Sequence, residues 1–491
     1  MSLSVAGVIV TATLVLLLVV LRAGIVAGLI GSLAFGATAF VTLTSLGGSS
    51  PLIYVVFTLI LIATAFLRLD LPRKLGSVFR NVPAAWAVLA FMTYSALSAI
   101  LFPRLFAGDT NVFVSSRVSG GVFEIPLAPV STNITQAGYL VLSCLTFFAV
   151  ALTLTRRFSL SDITRGFFLW GWINAILGMV DFLAKYGGAG DILSPIKSAN
   201  YAMLTDVQFA GFERISGAYS EASAFGSVSL ACLAFSYTYW RKRRTRQSFW
   251  LSVITLFLLL ASTSSTAYVG LAILSIPVFV SILGQMLRKR VRQVDVLIVA
   301  ALLLGATGFM AVSFVSPRIL APAAELLNDA VIEKAMSASG QERAYWNYAS
   351  LKSLIDTNGF GVGIGSSRAS SWLIAVVSQL GIIGFALIAF QVHILLRGMR
   401  GVAGKFDPDS DATLASVRAC TLAGLVSSSL VGGSADPGLV FFIALAVISM
   451  SRVYISRTLK EDARAAANRS AAGYPGGLRP ANALRPAGYQ R

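Results

Sequence analysis

Histidine occurs once in this sequence and cysteine three times, and charged residues of either sign make up only 12% of it. Each shortage excludes something. The lone His393 sits towards the end of an apolar run without ligand-forming neighbours, so no metal site is expected. Cys144, Cys232 and Cys420 all fall inside apolar runs, where packing is their expected role and neither a disulfide framework nor a thiolate cluster is. The shortage of charge is the most restrictive. Soluble domains carry roughly a quarter charged residues, and a chain that is 56% hydrophobic with a mean hydropathy of +0.78 cannot hide its apolar surface in one water-soluble core. Acids are scarcer than bases, 21 against 39.

What is present is a succession of apolar runs, most of them 17 to 25 residues long, enough at about 1.5 Å per residue to cross a hydrocarbon layer of roughly 30 Å. The first has no basic residues before it and no small-residue cleavage site after it, so it reads as a retained span. Spans are expected at 4–21, 24–46, 51–67, 84–102, 135–154, 166–183, 222–240, 248–262, 267–286, 294–315, 372–396, 413–431 and 438–452. The expected fold is all-α: a polytopic integral membrane protein with about 13 transmembrane helices, residues 1–452 forming one unit. The basic connections 68–80, 156–165, 241–246, 288–292 and 397–405, and the tail, fall on one side when the spans are threaded in order. Lysine and arginine are held on the cytoplasmic side during insertion, which makes that side the inside. The basicity is then an insertion signal and a match to anionic lipid, and no nucleic-acid partner is implied.

Long outer connections are expected at about 103–134, 184–221 and 316–371. In the third, 321–336 and 343–355 have helical apolar spacing and read as interfacial helices. The tail, 453–491, is rich in Ala, Gly, Pro and Arg towards its end and is expected to be disordered and cytoplasmic.

The outer connections hold the residues that can carry chemistry. Arg214 lies in Glu213-Arg214-Ile215-Ser216-Gly217, Arg343 in Gly340-Gln341-Glu342-Arg343, and Arg368 just beyond the alternating glycines 359, 361, 363 and 365. A lone interfacial arginine is ordinarily an anchor to lipid headgroups. Three arginines beside Gly-rich turns instead suggest a pyrophosphate site, because guanidinium forks are always charged and contact phosphate oxygens two at a time. The glycine run lacks the Lys-Ser/Thr ending and preceding strand of a nucleotide loop. It reads as a tight passage into the next span, with backbone N–H groups available to a phosphate. Glu221 and Glu342 are candidate general bases towards a sugar hydroxyl; their bland readings are a helix-start acid and a surface charge. Asp407, Asp409 and Asp411 have metal-binding spacing but sit in an inner loop with Asp-Pro turn chemistry, which favours a solvated loop.

Taken in order, Arg214 to Gly226, Arg343 with Trp346, the run Gly359 to Gly365, and Gln379-Leu380-Gly381-Ile382-Ile383-Gly384 resemble the successive signatures of the bacterial O-antigen ligase and polymerase superfamily over roughly residues 205–390. The resemblance implies a glycosyltransferase of the bacterial inner membrane with its site on the periplasmic face. It would move glycan from undecaprenyl pyrophosphate to a sugar hydroxyl without nucleotide, metal or other cofactor. Arg214 and Arg343 would bind the pyrophosphate with Arg368 as a third, the partners being the lipid-linked oligosaccharide, membrane lipid and a chain-length regulator. Ligases of the superfamily carry a histidine shortly after the glycine run, where this chain reads Ser366-Ser367-Arg368-Ala369-Ser370-Ser371-Trp372. That departure favours a polymerase of exopolysaccharide or O-antigen repeat units over a ligase. Glu221 stands where the family has asparagine. A lipid-oligosaccharide flippase and an inner-face, Mg²⁺-dependent transferase built on Asp407 to Asp411 are the competing readings.

Overall fold

The structure is a computed structural model, and it describes residues 2–43, 48–115, 122–201, 203, 208–209, 212–287 and 337–471. The chain begins with a short strand, β1 (Ser2–Leu3), and a helix, α1 (Val5–Val20), whose N-cap Ser4 accepts from the Gly7 amide at 3.2 Å. The next crossing departs from expectation. Among the described residues of 24–46 only α2 (Ile25–Ser32) is helical, after which the chain passes through turns at 33–34 and 36–37 to β2 (Val41–Thr42), antiparallel to β1. Eight residues span about 12 Å, too little for a membrane helix.

The cause lies in close packing and in a substitute for the missing helical hydrogen bonds. A side chain at Gly31 would meet Leu169 at 2.6 Å, and one at Gly166 would meet the Ala27 Cα at 2.9 Å, so α2 and its neighbour touch almost backbone to backbone. Beyond α2, Tyr219 Oη donates to the Leu33 carbonyl at 3.0 Å and the Ala37 amide donates to the Ala218 carbonyl at 2.9 Å. Ala34, Ala37 and Ala39 are fully buried. Non-helical backbone is tolerated at such depth only when protein surrounds and satisfies it, as here.

The helices α3 (Ile53–Phe66) and α4 (Leu71–Asn81) follow, bent by 102° at their junction. Then come α5 (Pro83–Leu105), the hairpin β3 (Asn111–Ser115) and β4 (Val122–Pro126), α6 (Ser131–Arg156) and α7 (Ser161–Tyr186). A two-residue-strand hairpin, β5 (Gln208–Phe209) and β6 (Phe212–Glu213), leads to α8 (Ala222–Arg243), α9 (Arg246–Ala261) and α10 (Ser265–Leu287). After the undescribed stretch come α11 (Ala338–Asp356), α12 (Trp372–Arg397), α13 (Pro408–Val431) and α14 (Leu439–Ala471).

Among the described residues, seven helices are long and apolar enough to cross a membrane: α5, α6, α7, α10, α12, α13 and the first 27 residues of α14; the bent pair α3 and α4 makes up to eight. The protein is therefore a mostly helical, multi-pass membrane protein, with fewer qualifying spans among the described residues than the 13 expected of the whole chain. The helices α1 and α9 are apolar but only 16 residues long. The expected span 294–315 and interfacial helix 321–336 lie outside the described residues, whereas the second interfacial helix coincides with α11. Helix α14 continues to Ala471, so the first half of the tail is helical where disorder was expected; 472–491 lie outside the described residues.

Two ends of the bundle are defined by contacts between distant connections. At the basic end, Arg156 makes a forked pair with Asp70 (2.8 and 3.2 Å), Arg243 pairs with Asp409, and Phe158, Phe406 and Tyr454 stack. At the other end, Thr132 Oγ1 donates to the Gly365 carbonyl at 2.7 Å, Ser434 to Gln136 at 2.9 Å and Thr110 to Asp356 at 2.7 Å. Among the described residues, the connections joined by these contacts thus sort into two groups, 70, 156–158, 243, 406–409 and 454 at one end and 110, 132–136, 356, 365 and 434 at the other.

Candidate functional site

Arg214 follows β6 and is held by charges buried in α7. Asp181 Oδ2 accepts from the Ser216 and Gly217 amides at 2.7 and 2.9 Å, while Lys185, one turn on and 3.3 Å from the Asp181 carboxylate, donates to the Arg214 carbonyl at 2.7 Å. Lys197, paired with Asp191 at 2.8 Å, reaches Ser216 Oγ at 3.1 Å. Gly217 has φ +52, which lets the chain turn towards α8. The backbone of this segment is fixed through buried charge-assisted bonds, the strong kind. The side chain of Arg214 is not fixed in the same way: its Nε is buried and lacks a hydrogen-bond partner among the described residues.

Arg214, Glu221 and Arg343 line one cavity of about 170 Å³. Glu221 is the N-cap of α8 and accepts from the Ser223 hydroxyl. Arg343 comes from the second turn of α11. The wall is completed by Ser264, Ser265 and Thr266 at the α9–α10 turn, by Ser223, and by the last residues of α13. Burial pushes the Arg214 guanidinium down from its ordinary value, with Glu221 opposing and the like charge of Arg343 adding to the effect. Two guanidiniums close to one carboxylate leave an excess of positive charge in a partly dry space, and an anion relieves it.

Arg368 lines a second cavity of about 270 Å³ beside the first, with Gln136, Gln379, Thr132 and Ser434. Its guanidinium faces the Trp346 ring at 5.3 Å. Partial burial lowers its pKa, Glu221 raises it and Arg343 lowers it, so Arg214 and Arg368 both feel the charges of Glu221 and Arg343. The β3–β4 hairpin holds this side together. Phe113 packs on Tyr345 and Trp346 and its carbonyl accepts from the Arg368 amide at 2.9 Å, while Tyr345 Oη donates to Glu124 at 3.0 Å. Asn347 on α11 accepts from the Ser370 amide at 2.8 Å.

The structure corrects the reading of the glycine run. All four glycines have positive φ, yet their amides are engaged within the protein: Gly361 N to Thr357, Gly363 N to the Gln379 carbonyl and Gly365 N to the Gln379 side chain. No phosphate cradle is left, because the run is wedged against α5, α6 and the break in α12 at Gly381, where φ is 64 and ψ −167. Glu342 is exposed and does not line either cavity, in keeping with its surface reading. Asp407 caps α13 by accepting from the Ser410 amide, Asp409 pairs with Arg243 and Tyr239, and Asp411 accepts from the Gly404 amide. Those acids are accounted for by helix-start and ion-pair roles.

Sequence reasoning missed Asp181, Lys185 and Lys197, the supports of Arg214, and the hydroxyls of 264–266. The first were legible as an acid and a base four apart late in an apolar run, a pairing that lets charge enter a helix end. The second were legible as five consecutive hydroxyl residues, Ser262 to Thr266, between apolar runs. Neither a family model nor a curated protein matches the chain.

Proposed function

We propose that the protein is a glycosyltransferase that works from a polyprenyl-pyrophosphate donor and lengthens exopolysaccharide or O-antigen chains, with Arg214, Arg343 and Arg368 facing the periplasm. The observation that carries this reading is the meeting of Arg214 and Arg343, from segments far apart in sequence, on one cavity with Glu221. A pyrophosphate is the leaving group, and its developing negative charge is what fixed guanidiniums stabilise. In the reaction a sugar hydroxyl of the acceptor attacks the anomeric carbon of the donor. The bond from that carbon to the phosphate oxygen breaks, polyprenyl pyrophosphate leaves with the electron pair, and the hydroxyl proton passes to the Glu221 carboxylate. The amide- and hydroxyl-lined cavity beside Arg368 suits the sugar portion, which is bound by directional hydrogen bonds. A ligase of the same superfamily would use the same site with a different acceptor.

A second reading, a translocator of lipid-linked oligosaccharide, draws support from the discontinuous α2 and α12, since broken helices recur in transporters. One experiment separates them. Purified protein is incubated with lipid-linked repeat units, without nucleotide and with a chelator, and the products are resolved by size. A ladder supports the polymerase; movement of the lipid between leaflets without lengthening replaces it with the translocator.

A further inference from the structure

A third charged cavity, of about 360 Å³, lies at the basic end, between the start of α5, α12 and the middle of α14, at the opposite end of the bundle from the contacts around the proposed glycan site. Arg452, Arg457 and Lys460 line it from α14, spaced so that they share one helical face. None of the three has a carboxylate partner among the described residues; Arg457 donates to Ser77 Oγ at 2.9 Å. The first turn of α5 adds the positive end of a 23-residue helix, begun by Pro83 and lacking a side-chain cap. Ser449, only 6% exposed, also lines the cavity, and its hydroxyl has no hydrogen-bond partner among the described residues. A buried hydroxyl without a partner costs free energy that a ligand oxygen would recover.

Asn81 and Ser456 add polar groups, and Ile394, Val453, Val82, Pro83 and Ala84 make up the apolar part of the wall. Nearby Trp86 is 59% exposed with its indole N–H bonded to the Phe79 carbonyl, and Leu67 and Leu69 are almost fully exposed, as residues at a membrane surface are. A site that is cationic at one edge, apolar at the other and located where helices meet the surface matches an anionic lipid with its phosphate inside and its chains along the helices.

We propose that this cavity binds the phosphate of an anionic phospholipid headgroup and thereby ties α5 to α14. The inference is independent of the glycan reading. The test uses full-length protein stripped of lipid in neutral detergent at fixed ionic strength, then given phosphatidylglycerol, phosphatidylcholine or inorganic phosphate. Lipid retention is read by native mass spectrometry and unfolding temperature by fluorescence. Phosphatidylglycerol should be retained and should raise the unfolding temperature, whereas phosphatidylcholine should not. The double variant Arg452→Gln, Lys460→Gln should weaken retention about 20- to 30-fold, at about 1 kcal/mol per cation and about 1.4 kcal/mol per factor of ten. Its lipid-free unfolding temperature should stay unchanged, since both side chains are exposed. Ser449→Ala should weaken retention less. Equal stabilisation by phosphatidylcholine, retention unaffected in the double variant, or inorganic phosphate reproducing the whole shift would each overturn the lipid assignment.

Discussion

Two glycine-bearing segments at the same end of the molecule, 214–217 and 359–365, look alike as sequence and are opposite as structure. In the first, the backbone is spoken for by Asp181 and Lys185, and a guanidinium nitrogen is left over in a cavity. In the second, the backbone amides are consumed by Thr357, Gln379 and neighbouring carbonyls, and nothing remains to hold a ligand. Glycine in the one makes a turn that presents a charge; in the other it lets three helices approach. The lesson is that a Gly-rich stretch becomes a phosphate site only if its donors are unspent, and sequence does not say where they are spent.

The comparison is tested hardest by removing charge from the first segment's cavity. Arg214→Ala and Arg343→Ala should each lower polymer formation by roughly 10²- to 10³-fold, the usual cost of one donor that stabilises a developing anion. Protein level and unfolding temperature should hold, because neither guanidinium makes an ion pair that the fold depends on among the described residues. Polymer of normal length from either variant would remove the pyrophosphate assignment. Combined, the two changes should cost less than the product of the single effects, since both act on the same charge.

The second segment should fail in the opposite way. At Gly363, φ is +88 and an added Cβ would meet the Ser98 carbonyl oxygen at 2.6 Å and Pro103 Cδ at 2.9 Å. Gly363→Ala should therefore destabilise the protein by about 1–3 kcal/mol through backbone strain alone, with further loss from the contact with α5. The checks are the yield and unfolding temperature of the purified variant. Specific activity per folded molecule should match the parent; an activity loss at full stability would restore a binding role to the run.

How much of this could be read in advance follows from what is local. The apolar runs of α5, α6, α7, α10, α12, α13 and α14, the sidedness of the basic loops, and helix α11 depend on composition and period, so they were legible. The half-helix α2 was not, because whether 24–46 coils throughout depends on Tyr219 and Ala218, nearly 200 residues later, supplying hydrogen bonds to Leu33 and Ala37. The hairpin β3–β4 was likewise missed: its place is set by Phe113 docking on Tyr345 and Trp346. At the site, the arginines stood out because charge is rare. Which glutamate joined them did not, since Glu221 and Glu342 differ only in where their helices lie.

A smaller effect separates two carboxylates that α7 and the α13–α14 turn bury near these segments. Asp181 has Lys185 beside it, whereas among the described residues Asp436 has only the Ser143 hydroxyl at 3.0 Å and the Gly438 amide at 2.8 Å. Removal from water outweighs those two bonds and pushes the Asp436 carboxyl up from 3.8 to about 6. The fold thus favours the protonated acid. Its contribution to stability is complete below the unfolded value, near pH 4, and is lost as pH rises through about 6. Stability should accordingly decline over that window in the parent, and the decline should be shallower in Asp436→Asn, which cannot ionise. Unfolding temperatures of both proteins from pH 4 to 7 provide the measurement. Parallel curves would mean that Asp436 ionises without penalty, and that a hydroxyl and an amide serve a carboxylate at this end as well as a lysine does.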